Sequence, residues 1–597
     1  MSTIKNLIGL SMFVHLAVVS LASAGLQPAT ADNGDTILVG HISHVEGLLQ
    51  RYVPEDGDWV ATVTDAPFGL DDALYSDENS KAEFIIPNDT WLRTGGSTQL
   101  QVIALKHDVT EVDMASGIAR FFNKNEGGVI KVTTEFGYVL ASRGTIFDLY
   151  VGEESVEVVA LKGRVIFIHA GNSGRYEVLF GSSLVADSSR VSSAEAAVDS
   201  EWDDWNEGRD QLWAKRLTGL GDSGKYLPAR LRGEAYVLEE NGRWEEVPYE
   251  GALRRLWRPS IALGWAPFTA GRWTDYHGDN TWIPNEQFGY LTHHYGNWIY
   301  IDNFWYWAPP QVSVRVAAGP FMSIGLGWYP GRVGWIHSGT EIGWVPLAWN
   351  EPYYAHRQWG GRTTVINSSS IDTINIDIGG YHNLERAIVV NRDNFYKTNN
   401  YKELHRVVGS RKTFATDYRA APVVNDRVIN DFKNIKERHN FVDGPLARKP
   451  HEVVHKRIEN NVKVSQQARA INAATLQQNL GRSKPGKFDR DGGIAVPKVG
   501  NKMVLPEERV RPREEITFQE KTLKQSTRQI RSQPVALERK SEGRAEKPAA
   551  VVRQEKEEKA EKARPEKREQ KGRSEQKKSA EDGEKEERPQ KENHGRK

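Results

Sequence analysis

FGYLTHHYGNWIYIDNFWYWAPP, residues 288–310, carries nine Phe, Tyr or Trp side chains in twenty-three positions, interleaved with Gly, Asn and Asp. Such density belongs either to a core or to a surface that grips a ligand, and the choice decides the fold of the middle of the chain. The alternation in NWIYID puts Trp298 and Tyr300 on one face of a strand and Ile299 and Ile301 on the other. The stretch lies in a longer region, 256–360, that holds twelve of the eighteen tryptophans. There, WRPSIALGWAPFTAGRWTDY, NTWIPNEQFGYLTHHYGNWIYID, NFWYWAPPQVSVRVAAGP, GWYPGRVGWIHSG and EIGWVPLAWNEPY share a Trp-x-Pro or Trp-Ala-Pro corner and a Gly-x-Trp start. The repeat is about twenty residues, the length of a hairpin. Pro ends a strand by fixing φ and removing a ladder donor, and Gly makes the turn before the next aromatic. Units this small cannot bury their own faces, so they must stack or pair.

Buried Trp and Tyr remove about 150–250 Å² each from water, and a hairpin array with few leucines and no cysteine has little else to bury, which favours a core. The competing role is contact with a sugar, whose apolar face packs against an aromatic ring. On that reading the ligand-binding candidates are Trp273, Trp282, Tyr295, Trp298, Tyr300, Trp305 and Trp307.

Composition narrows the classes. At 597 residues the chain is long enough for two or three domains. Lys plus Arg equals Asp plus Glu at 79 each, which argues against a nucleic acid or an anionic membrane as the main partner. With no cysteine there are no disulfides, no Cys-held metal or lipid anchor, and no thiol catalysis. At the start, MSTIKNLIGLSMFVHLAVVSLASAG has Lys5, an apolar run over 7–21 and an Ala22-Ser23-Ala24 site. It reads as a signal peptide, 1–24, cut after Ala24, which predicts a periplasmic or secreted chain. Membrane attachment is expected only if that segment is retained.

Over 36–190 short apolar runs (KAEFIIP, LQVIAL, GVIKVTT, GTIFDLYV, SVEVVALKGRVIFIHA) recur between turns such as PEDGD, KNEGG and HAGNSG, the texture of an all-β domain. GHISHVEGLLQRY, GLDDALYSDENSKAEFIIPNDTWLRTG, GIARFF, TTEFGYVLASRGTIFDLYV and VEVVALKGRVIF, in that order, resemble the FecR domain over about 150 residues. Its motif here is Arg143, Gly144, Thr145 and Phe147. In FecR-type regulators the domain is a periplasmic sensor behind a membrane helix and a cytoplasmic anti-sigma segment. This sequence has a signal peptide at that place, so the regulatory role is not carried over. The residues themselves read as structural: Gly144 permits close backbone approach and Arg143 ties a loop to a buried carboxylate. GWAPFTAGRW, FGYLTHHYGNWIY, FWYWAPP and GWVPLAWNEPY are similar to a tryptophan-rich family of unknown function that often follows FecR domains, a likeness that runs to about residue 400.

Between these domains, 192–218 predicts a linker helix opened by Ser192 and Glu195 in capping-box spacing. Its stripe of Trp202, Trp205, Arg209 and Leu212 is expected to pack on a neighbouring domain. GLGDSGK, 219–225, lacks the preceding strand of a dinucleotide site, and Ser223 lacks a convincing catalytic context. DYHGDN, 275–280, lacks a calcium-loop frame, and His293 and His294 would point to opposite faces of a strand. No catalytic residues, metal or cofactor are therefore expected. Residues 425–482 have helical spacing, with Val454, Ile458, Val462 and Val464 among polar side chains, and predict solvent-exposed helices or a short coiled segment. The charge-rich 483–597 is expected to be a disordered tail.

The fold expected is mainly β: a FecR-like domain, a Trp-rich hairpin region over 226–400, helical segments and a charged tail. The function expected is a non-enzymatic envelope protein, a scaffold or platform for a glycan, peptidoglycan or an exported protein. The alternative is a periplasmic sensor related to FecR anti-sigma regulators.

Overall fold

The structure, a computed structural model, describes residues 37–54, 57–262, 264–310, 327–367, 374–405, 410–424, 438–439, 457–458, 460–461, 471–490, 493–499 and 508–513, and the backbone alone of 313–315 and 323–325. The signal-peptide reading of 1–24 lies outside these residues. Among them no helix is long and apolar enough to cross a membrane. The chain is mainly β.

Seventeen strands lie between Val39 and Glu195. They pair into two layers joined by one long strand, Val109–Asn123. Its first half pairs with Thr98–Leu105 and Val129–Thr134, and its second half with Thr90–Thr94 and Ile146–Val151. The handover falls at Gly117, whose φ of +99° no β-branched residue would adopt easily; a Cβ there would meet the Thr98 backbone at 2.3 Å. Alternation along each strand sends Ile42, Phe84, Phe147 and Val158 from one layer against Leu100, Val112, Val132 and Phe167 from the other, all buried in one core.

The linker helix, α1, spans Ser200–Thr218. Residues predicted as its capping box instead form the strand Val191–Glu195, paired with Ser182–Ala186. That apolar-flanked edge completes a ladder, and the cap falls to Asp199, whose side chain accepts from the Trp202 N–H at 2.7 Å. The face turned to the strands is Trp202, Asn206, Arg209 and Trp213, whereas Trp205 and Leu212 are half-exposed. What it meets is ionic. Glu83, wholly buried, accepts from Arg93, Arg209 and the Trp213 indole at 2.8, 2.6 and 2.7 Å. Arg120 holds Asp148 and Asp203, and Trp202 also donates to Asp148. Burial opposes ionisation of Glu83, but the two guanidiniums hold its carboxyl well below the ordinary range.

The tryptophan-rich region consists of hairpins, as the repeat predicts, but the unit runs from Gly-x-Trp to Trp-x-Pro across each of the first three hairpins rather than from corner to corner, and in the fourth Val333 takes the place of the glycine. Strands Gly242–Tyr249 and Ala252–Pro259 place Trp244 opposite Trp257 and Gly242 opposite Pro259. Gly271–Tyr276 and Asp279–Pro284 place Trp273 opposite Trp282 and Gly271 opposite Pro284. Asn297–Ile301 and Phe304–Ala308 oppose Trp298 and Trp307, and Val333–His337 and Glu341–Pro346 oppose Trp335 and Trp344. An indole is longer than the spacing between side chains on one strand face, so it extends over the position diagonally across. In the first three hairpins that position is bare: a Cβ on Gly242 would lie 2.4 Å from the Trp257 ring, one on Gly271 2.6 Å from the Trp282 ring, and one on Gly296 2.8 Å from the Trp307 nitrogen. Three of the turns have two residues, both at positive φ: Glu250-Gly251, His277-Gly278 and Asp302-Asn303.

The first and third hairpins join through Trp257 and Trp307, and the fourth is flanked by Ile388–Asn391 and Arg419–Ala421. Between the second and third hairpins, Gly289–His294 is a short helix, so His293 and His294 do not sit on a strand. Both are buried and neutral. His293 Nδ1 faces the Gly289 carbonyl at 2.9 Å while Nε2 accepts from the Phe268 N–H at 3.1 Å, and burial lowers its pKa to about 3.

The two β regions share an interface. Ile283 from the second hairpin lies in the core of the layered domain, and Tyr276 donates to the buried Asp72 at 2.7 Å. Burial pushes that carboxyl up to about 6, although Arg51 and the Tyr276 hydroxyl pull the other way.

Two expectations for the C-terminal third change. The helix Ala473–Arg482 is not free in solvent: Ala473 and Leu476 pack on Val109, Val129 and Leu140. Ile458 is buried against Trp59 and Ala73, while Val454, Val462 and Val464 lie outside the described residues. Within the segment read as tail, Pro485 bridges to Arg175, Val499 is buried beside the Trp213 cluster, and Arg509–Val510 pairs with Val198–Asp199. Composition hid this because each contact uses one or two side chains in a polar segment. From residue 514 the tail lies outside the described residues.

Candidate functional site

Eleven of the twelve tryptophans of 256–360 are buried; Trp349 is half-exposed. Trp273 is in ring contact with Phe268, Trp282, Trp335 and Trp344, at centroid distances of 4.7–5.9 Å. Trp307 donates to the Tyr295 carbonyl, and Trp298 packs edge-on to Trp265 at 5.2 Å. Trp273, Trp282, Tyr295, Trp298 and Trp307 are therefore core residues with no ring face open to a ligand. The alternation in NWIYID is real, but the face carrying Trp298 is the main core, and Ile299 lies in a smaller cluster with Val247, Leu256 and Tyr306 on the reverse side of the sheet.

Two of the seven candidates reach a cavity. Tyr300, half-buried, and Trp305, buried with one edge at the wall, line a space of about 370 Å³ with Trp265, Phe304, Arg258 and Arg386. The cross-strand pair Tyr300–Trp305 packs edge to face at 5.1 Å. The Arg386 guanidinium lies over the Tyr300 ring at 4.3 Å, and that of Arg258 over Phe304 at 3.4 Å. A guanidinium laid flat on a ring keeps its N–H edge free and loses less rotamer freedom on binding. Arg258 also meets the Tyr306 hydroxyl and lies 3.5 Å from Glu245, whose nearer partner is Arg243 at 2.6 Å. Partial burial opposes ionisation of Glu245, yet Tyr306, Arg243 and Arg258 hold its carboxyl below the ordinary value.

Glu385, Asn303 and His405 complete the polar lining, and His405 Nδ1 has no hydrogen-bond partner among the described residues. Behind the wall, Trp265 donates to Glu286 at 2.8 Å, and burial pushes that carboxyl up to about 7. This arrangement can bind: it offers two ring-backed cations, a carboxylate, an amide and an imidazole around apolar walls. Sequence reasoning found Tyr300 and Trp305 and missed Arg258, Arg386 and His405. The signal within reach was the Asp302-Asn303 turn, which puts Tyr300 and Trp305 side by side at the tip of a hairpin.

Elsewhere the flagged motifs are structural. Arg143 is exposed and pairs with the exposed Glu126 at 2.8 Å, not with a buried carboxylate. Gly144 has open space around it, and its need is a φ of +79° in the turn that Thr145 closes onto Ser142. Thr145 is buried, and Phe147 stacks on Phe121 at 5.0 Å. The Ser223 hydroxyl is buried and accepts from the Trp244 indole at 2.8 Å. DYHGDN is the second hairpin turn. Its Asp279 holds His356 and Trp359, and no group of three or more metal-ligating side chains occurs among the described residues.

Residues 235–351 match a family model described as a family of unknown function, DUF6600, about a fifth of the chain. The matched segment contains all four Trp–Trp hairpins and ends short of residue 400, to which the sequence likeness was carried. No curated protein matches the chain. Two crystal structures of a candidate anti-sigma factor from Parabacteroides distasonis are similar over 21% of this chain, at 17% and 16% identity and a TM-score of 0.19 in both cases. The chain spans 59% of the length of those structures.

Proposed function

We propose that this is a non-enzymatic protein of the cell envelope, exported by its N-terminal segment, in which a FecR-like β-domain and a tryptophan-cored hairpin region hold a pocket for an envelope glycan. The observation that carries this reading is the convergence of Tyr300, Trp305 and Trp265 with Arg258 and Arg386 on one open cavity, while the other candidate rings are packed away. A cavity of that size is at the lower end of small-ligand sites, suited to one or two sugar units. The rings supply apolar contact to the sugar faces. Arg386 and Arg258 supply charge-assisted bonds to a carboxylate or ring hydroxyls, and Glu385 accepts from hydroxyl groups. The partner class is thus peptidoglycan or an acidic polysaccharide.

The test is retention on purified, insoluble peptidoglycan and on insoluble cellulose as the neutral comparison. The wild-type protein should be retained on peptidoglycan. Tyr300→Ala and Arg386→Ala should each lower retention at least tenfold without lowering the melting temperature by more than a few degrees. No retention of wild type, or equal retention of both variants, contradicts the reading. Trp298→Ala is unsuitable as a binding probe because its ring is core.

A further inference from the structure

Residues 508–513, inside the segment whose composition reads as tail, lie as an extended strap on the layered domain. Arg509–Val510 pairs antiparallel with Val198–Asp199, the short strand that leads into α1. Side chains at alternate positions of an extended chain share a face, and on this face stand Arg509, Arg511 and Arg513. Each meets a carboxylate from a different part of the domain. Arg509, whose side chain is only 5% exposed, bonds Glu157 at 2.5 Å with its guanidinium 4.7 Å from the Tyr150 ring centroid. Arg511 lies 2.9 Å from Glu195. Arg513 bonds Asp204 and Glu207 in the first two turns of α1 and approaches Asp203 at 3.7 Å. Pro512 keeps Arg511 extended and carries no N–H to continue a ladder, which fits a strap that pairs for two residues and then runs along a wall of side chains.

We propose that this acidic groove is a recognition site for an extended segment with arginine at alternate positions, filled in this chain by its own residues 509–513. Two features separate it from a chance cluster of surface pairs. One end is a buried socket in which the Arg509 guanidinium lies over the Tyr150 ring and donates through one nitrogen to Glu157, a combination that a planar cation makes more readily than an ammonium. The other is a strand edge that fixes the direction and register of the occupant. The outer pairs are exposed and contribute little each, so their part is to steer and align. A partner bearing the same arginine spacing competes for the groove with the strap, whose tether gives it a high effective concentration.

The experiment uses the full chain and a fluorescent peptide with the sequence of residues 507–515. Arg511→Glu combined with Arg513→Glu sets like charges against Glu195, Asp204 and Glu207 while leaving the buried Arg509–Glu157 pair and the Arg120–Asp203 bond in place. Hydrogen exchange at 508–513 should rise at least tenfold in this variant, with exchange in Val156–Lys162 unchanged. The peptide should bind the variant at least tenfold more tightly than wild type. In wild type, raising sodium chloride from about 50 to 500 mM should speed exchange at 508–513 while exchange in the buried strand Val156–Lys162 is unchanged, because exposed pairs are screened. A strap that stays protected in both the variant and high salt overturns the acidic groove. A strap that leaves without the peptide binding overturns the recognition site.

Discussion

The layered domain and the hairpin region are both β, both lack cysteine, and fill their interiors by opposite means. In the first, Val, Ile, Leu and Phe alternate inward from two layers, and the helix that closes the edge is joined through buried ions around Glu83 and Arg120. In the second, aromatic rings make up about half of the buried residues, and in three of the four hairpins space for an indole comes from a glycine across the strand pair. The contrast shows that aromatic density is not evidence of a binding surface. In three of the four hairpins the facing rings have a bare position beside them, and the spacing Gly-x-Trp…Trp-x-Pro records it.

Substitutions that exploit this difference sharpen it. Trp282→Ala removes a ring packed on Trp273 and Phe268 and should cost about 5 kcal/mol in chemical denaturation, against about 3 kcal/mol for Leu100→Ala in the layered core. Glu83→Ala leaves Arg209 uncompensated and Arg93 with Asp210 alone, and should cost about 3–5 kcal/mol. Its selective signature is faster hydrogen exchange along α1, with the hairpin region unaffected. Gly296→Ala places a Cβ 2.2 Å from the Ala308 carbonyl and should cost about 1–3 kcal/mol more than Gly181→Ala, which has a similar positive φ but open space.

The smallest effect is a pH dependence. The folded pKa of His293 is lowered to about 3, below its unfolded value near 6.5, so the neutral ring contributes stability above pH 6.5 that is lost as pH falls toward 3. The advantage of wild type over His293→Gln should therefore shrink by about 1.4 kcal/mol between pH 7.5 and 5.5 in paired denaturation curves. A constant difference would place the histidine in contact with water.

Much of the fold is legible in the residues. The strands of 36–190 follow from alternation and turn composition, and the hairpins from the tryptophan repeat. The phase of that repeat was not legible, because only pairing across strands shows that Gly242 and Pro259 belong to one unit. The α1 cap was misplaced since Ser192 and Glu195 satisfy a local rule that the edge ladder outweighs. The buried ions were invisible, as Arg93, Arg120 and Arg209 look like surface residues until Glu83, Asp148 and Asp203 are brought to them. Of the pocket, the sequence offered Tyr300 and Trp305 but not Arg386, which arrives from 86 residues away along the chain.

The claim that the tryptophans form a core is tested most directly by acrylamide quenching of intrinsic fluorescence in the native protein and in denaturant. Of the eighteen tryptophans, only Trp205, Trp244 and Trp349 are half-exposed, and the rest are buried. A tryptophan core gives blue-shifted native emission of which only a minor fraction, on the order of one-sixth, is readily quenched. Quenching of most of the native emission at rates near those of the unfolded chain would contradict it and return the aromatic array to the surface.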